Sequence, residues 1–217
     1  MDKMLNGTLD RDRAADYPLR RREVVAELLA DRGDMLVVAG LGAPVWDCTA
    51  VEDHPLTFPL WGAMGGAAAL GLGLAMAQPD RPVLVITGDG EMLMGLGALT
   101  TIGAQQPDNL AVVVCDNERY GETGMQLTHT AGALDLPAMA LAAGFATAAQ
   151  ISSDNEFKAA LPAIRAVSGR TASGPGFWSI KIRAEETGIG AMPPKDGVTL
   201  KDRFRSALLG QNTPELP

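Results

Sequence analysis

The sequence predicts an α/β fold in which helices flank both faces of a doubly wound, mostly parallel sheet. Continuous apolar runs, which are typical of strands buried on both faces, alternate along the chain with stretches of helical periodicity. Glycine- and proline-rich turns separate these runs, and the length of 217 residues suits one domain of this kind. The predicted strands are residues 35–39, 58–60, 83–87, 111–115, 145–149 and 177–183, and the predicted helices are residues 18–31, 67–77, 137–143, 153–167 and 200–209, with a further helix that begins near Glu91.

Local signals mark the boundaries of the first elements. Pro18 suits the first turn of a helix, and Gly33 ends that helix. The Gly-Leu-Gly-Ala-Pro run at residues 40–44 predicts a loop at the carboxyl edge of the sheet. A dinucleotide-binding turn is the alternative, but Val45 stands where that pattern requires its last glycine.

Later elements carry similar signals. Small residues along the helix at 67–77 permit close packing, either on the sheet or on a second subunit, and both alternatives stay open. Ser153 or Asp154 is expected to cap the next long helix, and Pro162 is expected to interrupt it. The last predicted helix, at 200–209, is a candidate for packing on a partner.

Composition and charge exclude several classes of protein. A net charge of −8 argues against a nucleic-acid partner. Cys48 and Cys115 form no CxxC pair, so neither a zinc site, an iron–sulfur cluster nor a disulfide framework is expected. The start of the chain has no apolar signal region and no run is long enough to span a bilayer, so we expect a cytoplasmic protein without membrane contact. The expected organisation is a flexible arm (1–16), a folded domain (17–185) and a C-terminal tail with a helix (186–217).

Two polar residues that directly follow buried strands carry the predicted chemistry. Asp89 comes after the strand at 83–87, and Asn117 comes after the strand at 111–115. Parallel strands end at the same edge of a sheet, which is where open α/β sheets bind ligands. Carboxylate and amide oxygens are the hard ligands that Mg²⁺ prefers. The sequence therefore predicts a metal site at this edge.

The surroundings of Asp89 favour an anion beside that metal. Gly88 and Gly90 allow close approach to the backbone, and the helix that begins near Glu91 directs its free N–H groups to the same place. A metal held by few protein groups commonly takes its other oxygens from phosphates. The motif is therefore typical of a cradle for a metal–diphosphate. The alternative is a glycine turn and an unrelated Asp-Asn turn on an ordinary α/β sheet.

Gly88-Asp89-Gly90, followed by residues 91–116 and Asn117, resembles the signature of thiamine diphosphate enzymes. The resemblance implies their diphosphate-binding (PP) domain, with thiamine diphosphate and Mg²⁺ as cofactors. It implies Asp89, Asn117 and the backbone carbonyl of Arg119 as metal ligands. The implied cofactor contacts around the diphosphate are Gly42, Ala43, Gly88, Asp89, Gly90, Glu91, Asn117, Tyr120 and Gly121.

A second segment, Gly62-Ala63-Met64-Gly65, resembles the part of decarboxylase-type thiamine enzymes that holds the aminopyrimidine ring. The resemblance implies that the carbonyl of Gly62 accepts from the 4′-amino group and that the N–H of Met64 donates to the ring. It also implies that the Met64 side chain supports the bend of the cofactor, with Ala63 where a serine is common. The alternative for Met64 is ordinary core packing.

Four residues are candidates for a role in catalysis. Met64 is one, through the cofactor. In the loop after Asn117, Glu122 or Thr123 stands where relatives place a residue that faces the substrate, and Tyr120 is expected to close over the diphosphate. His129 is a further candidate. The alternative for this loop is a solvated segment.

One group that thiamine catalysis requires has no candidate in this sequence. A carboxylate must lie beside N1′ of the pyrimidine to move a proton. In the family, this Glu belongs to a separate pyrimidine-binding (PYR) domain, usually in another subunit. Glu23 and Glu27 lie on the first predicted helix, and the three glutamates near the metal motif flank the diphosphate. We therefore expect a half-site in a hetero-oligomer, completed by a PYR subunit of similar size.

The segments DHPLTFPLWGAMG, ITGDGEMLM and DNERYGETGMQ together resemble the β subunits of sulfopyruvate decarboxylases and the matching half of phosphonopyruvate decarboxylases. This resemblance implies a lyase that releases CO₂ from a small 2-oxo acid. The sequence departs from the pattern at Ala63 and at Asp116, where a second Asn is frequent. Two alternatives remain, a carboligase of the acetolactate or acyloin synthase type and a non-catalytic phosphate-binding module.

Overall fold

The computed structural model describes residues 13–166 and 173–210 of the chain. Its strands are β1 (Leu36–Ala39), β2 (Thr57–Pro59), β3 (Val83–Gly88), β4 (Leu110–Asp116), β5 (Arg119–Tyr120), β6 (Gln126–Leu127), β7 (Thr147–Ile151) and β8 (Gly176–Lys181). Six of these form one parallel sheet in the order β2-β1-β3-β4-β8-β7, and β5 and β6 pair as a small antiparallel hairpin. The predicted α/β fold with a parallel sheet is confirmed.

Helices cover both faces of the sheet. They are α1 (Arg21–Leu29), α2 (Ala43–Val51), α3 (Ala67–Ala77), α4 (Asp89–Met94), α5 (Ala98–Gln105), α6 (Leu136–Ala143), α7 (Asp154–Arg165) and α8 (Gly197–Leu209), with short 3₁₀ turns at Arg13–Asp16, Gly121–Thr123 and His129–Ala131.

The side chains of each strand point alternately to the two faces of the sheet, which divides the hydrophobic core into two layers. In β1, Val37 packs with α1 and α2 on one face, whereas Val38 packs with α3 and α5 on the other. Leu84 and Val85 of β3 divide in the same way. Successive side chains of a strand point to opposite faces, so continuous apolar runs are what a sheet covered on both sides requires. This is why these runs predicted the fold class.

The register of the two central strands brings the predicted metal ligands to one edge. Gly88, the last residue of β3, pairs with Cys115 of β4. Asp89 and Asp116 are the next residues along each strand, and Asn117 follows. Parallel neighbouring strands lie about 5 Å apart, so these residues share one site at the carboxyl edge.

Several predicted boundaries are corrected by the structure. α1 begins at Arg21 instead of Pro18. The loop predicted at residues 40–44 ends earlier, because Ala43–Val51 form α2, which has Pro44 in its first turn. Proline suits that position because the missing N–H has no partner within a helix there. The predicted interruption at Pro162 is wrong, since α7 continues to Arg165.

The two ends of the described chain also pack on the domain. Arg13–Asp16, inside the arm expected to be flexible, forms a 3₁₀ turn with Ala14 buried; residues 1–12 lie outside the described part. At the other end, Phe204 of α8 packs edge-on against Phe58 of β2 at 5.6 Å between ring centres, and Arg203 pairs with Asp53 at 2.8 Å. α8 therefore covers the edge of its own sheet.

Candidate functional site

A cavity of about 240 Å³ lies at the carboxyl edge of β3 and β4. The predicted site residues that line it are Gly42, Ala43, Met64, Gly88, Asp89, Gly90, Glu91, Asn117, Arg119, Tyr120, Gly121, Glu122 and Thr123. Three other predicted residues, Gly62, Ala63 and His129, are not part of its lining. The two sequence segments that carried the prediction thus meet at one cavity.

Asp89 is a buried carboxylate whose structural partners are hydroxyl groups. Its Oδ2 accepts a hydrogen bond from the hydroxyl of Thr128 at 2.5 Å, and the hydroxyl of Thr130 lies 3.2 Å from the same oxygen. Burial, together with the negative charge of Asp116, raises the pKa of Asp89 to about 7, against the lowering effect of the two hydroxyls. In the metal-free protein, the ionised form of Asp89 is therefore destabilised, and a bound cation would remove that free-energy cost.

Neighbouring charges are balanced within the protein, whereas that of Asp89 is not. Lys181 Nζ lies 2.8 Å from Asp116 Oδ2 and 2.9 Å from Glu118 Oε1, and Arg13 pairs with Glu118 at 2.6 Å. Two buried carboxylates thus share two cations. No ion pair within residues 13–166 and 173–210 involves Asp89. A divalent cation beside Asp89 fits this balance.

The turn after β4 presents Asn117 to the cavity. The Asn117 side-chain oxygen accepts from the N–H of Arg119 at 3.1 Å, which closes a tight turn. Asp116, just before it, binds Thr130 and Lys181 instead. The described residues contain no group of three or more His, Cys, Asp or Glu that could hold a metal. A cation here would therefore need an amide, a carbonyl and ligand oxygens beside the single carboxylate.

The two glycines that flank Asp89 have different surroundings. The Tyr120 ring packs directly on Gly90, where an added Cβ would come within 2.6 Å of the ring. A Cβ at Gly88 would meet nothing within 4 Å. The first residues of α2 and α4, Ala43 and Asp89, both border the cavity, so both helix N-termini face it. Free N–H groups at helix N-termini bind phosphate well.

Glu91, predicted as a cofactor contact, also fastens the segment around Met64. Its Oε1 accepts from the N–H groups of Gly65 and Ala67, both at 3.1 Å. Its Oε2 is buried without a hydrogen-bond partner, and burial raises the pKa of the carboxyl. Met64 lies next to this anchored turn, lines the cavity and is 38% exposed.

His129 and its two neighbours in the chain, Thr128 and Thr130, direct their side chains to different places. Thr128 and Thr130 are buried and point to Asp89, whereas the His129 side chain is exposed. Of these three residues, only His129 was predicted as a site residue, because imidazole is the most reactive of the three side chains. The two threonines that flank His129 were the available signal, and the 3₁₀ turn His129–Ala131 brings both of their hydroxyls to Asp89.

Arg21 is a further cavity residue that the sequence analysis missed. It begins α1, pairs with the buried Asp47 and donates to the Thr187 hydroxyl at 2.7 Å. The sequence around it, Arg20 to Arg22, gave no reason to select one arginine. Its place at the cavity depends on the long-range packing of α1 against α2, which no local pattern reveals.

Comparison with known proteins agrees with this geometry. Residues 41–173 match the family described as thiamine pyrophosphate enzyme, C-terminal TPP binding domain. The chain is 41% identical over 143 residues to sulfopyruvate decarboxylase subunit beta of Methanothermobacter thermautotrophicus, which covers 66% of this chain and 76% of that protein. It is 38% identical over 159 residues to phosphonopyruvate decarboxylase of Streptomyces viridochromogenes, covering 73% of this chain but 40% of that protein.

A solved structure shares the fold. The crystal structure of benzoylformate decarboxylase from Polynucleobacter necessarius aligns with a TM-score of 0.61 and 23% identity, over 82% of this chain and 34% of that chain. Within the described residues, no helix combines the length and the apolar character needed to cross a bilayer. Since the family match spans more than half of the sequence, the chain belongs to the thiamine pyrophosphate enzymes, as a member of their C-terminal TPP-binding domain family.

Proposed function

We propose that this chain is the diphosphate- and metal-binding subunit of a thiamine diphosphate-dependent 2-oxo acid decarboxylase, and that a second polypeptide completes its active site. The observation that carries the proposal is Asp89, a buried carboxylate that has hydroxyl partners but no cationic one among the described residues, at the edge of a glycine-lined cavity. The decarboxylase names of two relatives that are 38–41% identical support the reaction type.

Within this proposal, Mg²⁺ is held by Asp89, by the side-chain oxygen of Asn117 and by the backbone carbonyl of Arg119. The hydrogen bond from Arg119 N–H to Asn117 fixes the turn that carries two of these three ligands. Thr128 holds Oδ2 of Asp89, which leaves Oδ1 as the oxygen available for a metal. The diphosphate lies against Gly88 and Gly90 and receives N–H groups from the starts of α2 and α4.

The segment from Gly62 to Gly66 is proposed to hold the aminopyrimidine ring, through the carbonyl of Gly62 and the N–H of Met64. Both Gly62 and Gly65 have positive φ values, 68° and 90°, which a residue with a side chain rarely adopts. Glu91 ties this turn to α4 by two hydrogen bonds. The distance between the ring site and the diphosphate site is thereby fixed by one side chain.

The cofactor supplies, when bound, a nucleophilic carbon and an electron sink for the electrons of the departing carboxylate. The protein then needs to orient the 2-oxo acid and exclude water. Glu122 and Thr123 border the cavity, as Met64 does, and remain our candidates for substrate contact. Arg21 and Arg119 also border it, which suits an anionic substrate.

A PYR subunit is proposed to supply the catalytic Glu and to cover the ring. The designation of the Methanothermobacter relative as subunit beta supports a hetero-oligomer. The exposure of Met64 on the cavity side, at 38%, is consistent with a wall that another polypeptide provides. We further propose a cytoplasmic location and a small-molecule substrate.

The test is CO₂ release by the chain alone and by the chain purified with its associated polypeptide from the native host. Pyruvate, sulfopyruvate and phosphonopyruvate serve as substrates, with Mg²⁺ and thiamine diphosphate present. We expect turnover only by the complex. Robust turnover by the single chain would contradict the half-site. A complex that binds the cofactor but forms acetolactate or another coupled product instead of releasing the aldehyde would favour carboligation.

A further inference from the structure

The residue between the two predicted metal-binding positions of the turn, Glu118, is unusual in both its backbone and its side chain. Its φ is +59°, in the left-handed region that residues other than glycine, asparagine and aspartate rarely adopt. Its side chain is fully buried, at 0% exposure. Its N–H donates to Asp116 at 3.1 Å and its carbonyl accepts from Thr128 N–H at 3.0 Å. Glu118 thus lies at the centre of the turn that joins Asn117 to Arg119.

Three side chains from distant parts of the sequence hold the Glu118 carboxylate. Arg13 donates from Nη2 to Oε1 at 2.6 Å and from Nε to Oε2 at 2.9 Å, as a two-pronged ion pair. The hydroxyl of Tyr17 donates to Oε1 at 2.8 Å, and Lys181 Nζ donates to the same oxygen at 2.9 Å. Such contacts offset the cost of burying a charge and of the left-handed backbone.

The same side chains connect the Glu118 turn to the segment that orients Asp89. Arg13 Nη2 donates to the Thr130 carbonyl at 3.1 Å, and the Thr130 hydroxyl donates to Asp116 Oδ1 at 2.7 Å. Lys181 reaches Asp116 as well. The two elements that carry the predicted metal ligands are therefore fixed relative to each other through one cluster, in which Glu118, Asp116 and Lys181 are buried and Arg13 is partly exposed. Arg13, Tyr17 and Lys181 all lie outside residues 41–173, the part that matches the family.

We propose that Glu118 is a positioning residue for the metal–diphosphate site, and that Arg13 and Tyr17 make the N-terminal segment a structural part of that site. The anchored carboxylate holds the turn from Asn117 to Arg119 in its left-handed conformation, which keeps the Asn117 side chain and the Arg119 carbonyl at the cavity. Without the anchor, the turn is free to adopt other conformations, and ordering it becomes a cost of binding. This inference rests on the proposed function of the site.

The test measures the Mg²⁺ concentration that half-saturates thiamine diphosphate binding, by calorimetry on the full chain. The variants are Arg13→Ala, Tyr17→Phe and Glu118→Gln, and Glu118→Gly, which removes the anchor while it relieves the backbone. Arg203→Ala is the matched control, because it breaks an arginine–aspartate pair on the far edge of the sheet. Unfolding of each variant without ligand is recorded in parallel.

We expect Arg13→Ala, Glu118→Gln and Glu118→Gly each to raise the half-saturating Mg²⁺ concentration about tenfold, and Tyr17→Phe about threefold. Arg203→Ala should stay within twofold of the wild type. Tyr17→Phe removes a single hydroxyl, so it remains informative if Arg13→Ala fails to fold.

Three results would overturn the inference, and they are distinguishable. If the wild type binds thiamine diphosphate with Mg²⁺ and the Tyr17 and Glu118 variants bind it with the same Mg²⁺ requirement, the positioning role is wrong and the proposed function stands. The same holds if Arg203→Ala shifts the requirement as much as Arg13→Ala. If the wild type shows no Mg²⁺-dependent binding, the proposed function falls and the inference falls with it.

Discussion

The hydroxyl of Thr128 donates to Oδ2 of Asp89 at 2.5 Å, so one oxygen of the buried carboxylate is fixed by the protein. A hydroxyl orients a carboxylate without neutralising it, in contrast to the lysine that neutralises Asp116. Asp89, the metal ligand that we propose, is therefore held in place by hydroxyl groups and has no cationic partner among the described residues. This combination is what a cation site requires and what an ordinary buried ion pair avoids.

The first prediction concerns this hydroxyl. Thr128→Val keeps the side-chain shape and removes the donor, so the Asp89 carboxylate loses its orientation. We expect thiamine diphosphate affinity at fixed Mg²⁺ to fall roughly tenfold, as is typical when a partner of a metal ligand is removed. Calorimetric titration measures the change. Thr100→Val, at an exposed hydroxyl that donates to the carbonyl of Gly97, is the control and should have no effect on binding.

The second prediction concerns the pH dependence of stability in the metal-free chain. Burial raises the pKa of Asp89 to about 7 from an ordinary 3.8, so the folded state holds its proton more tightly than the unfolded state. The stabilising contribution of the protonated form is complete below about pH 4 and is lost as the pH rises through about 7. In Asp89→Asn the side chain has no carboxyl proton to lose and stays neutral, so the variant keeps this stabilisation as the pH rises.

We therefore expect metal-free Asp89→Asn to exceed the wild type in unfolding free energy at pH 8 by roughly 4 kcal/mol, which corresponds to about 3 pKa units at about 1.4 kcal/mol per unit. The two should be equal near pH 4. Urea denaturation at both pH values, with chelator present, measures the difference. A wild type that is the more stable protein at pH 8 would show that the Asp89 charge is already compensated without a metal.

The third prediction concerns two glycines near the start of α5. A Cβ at Gly95 would lie 2.0 Å from the carbonyl oxygen of Gly65, in the turn that we propose holds the ring. Gly95→Ala should therefore displace that turn, destabilise the protein by about 1–3 kcal/mol and weaken cofactor binding. At Gly97 a Cβ meets nothing within 4 Å, so Gly97→Ala serves as the control. Equal effects of the two substitutions on cofactor affinity would argue against a role for the Gly65 turn.

The sequence predicted the elements whose signals are local. The apolar runs of β3 and β4 predicted the sheet, and the Asp and Asn that follow them predicted the edge at which the cavity lies. Because strand–helix–strand units are parallel, the two ends had to meet, and the Gly88–Cys115 register confirms that they do.

The contacts between distant segments could not be read from the sequence. Nothing near Arg13 or Lys181 indicates that both reach Glu118, since that cluster forms only when β8 pairs with β4 and the N-terminal turn packs over their ends. The interruption predicted at Pro162 was wrong for a related reason. A proline removes one helical hydrogen bond, and the packing of Phe157 and Ile164 on the core keeps α7 continuous.

The central claim is that Asp89 and Asn117 share one divalent cation that binds the diphosphate of thiamine diphosphate. Its most direct test is a calorimetric titration of the full chain with thiamine diphosphate, with Mg²⁺ and then with chelator, for the wild type and for Asp89→Ala. We predict that the wild type binds thiamine diphosphate when Mg²⁺ is present and does not bind it in chelator. Asp89→Ala should not bind the cofactor under either condition, and its circular dichroism spectrum should match that of the wild type. Equal affinity in chelator, or wild-type affinity in Asp89→Ala, would contradict the claim.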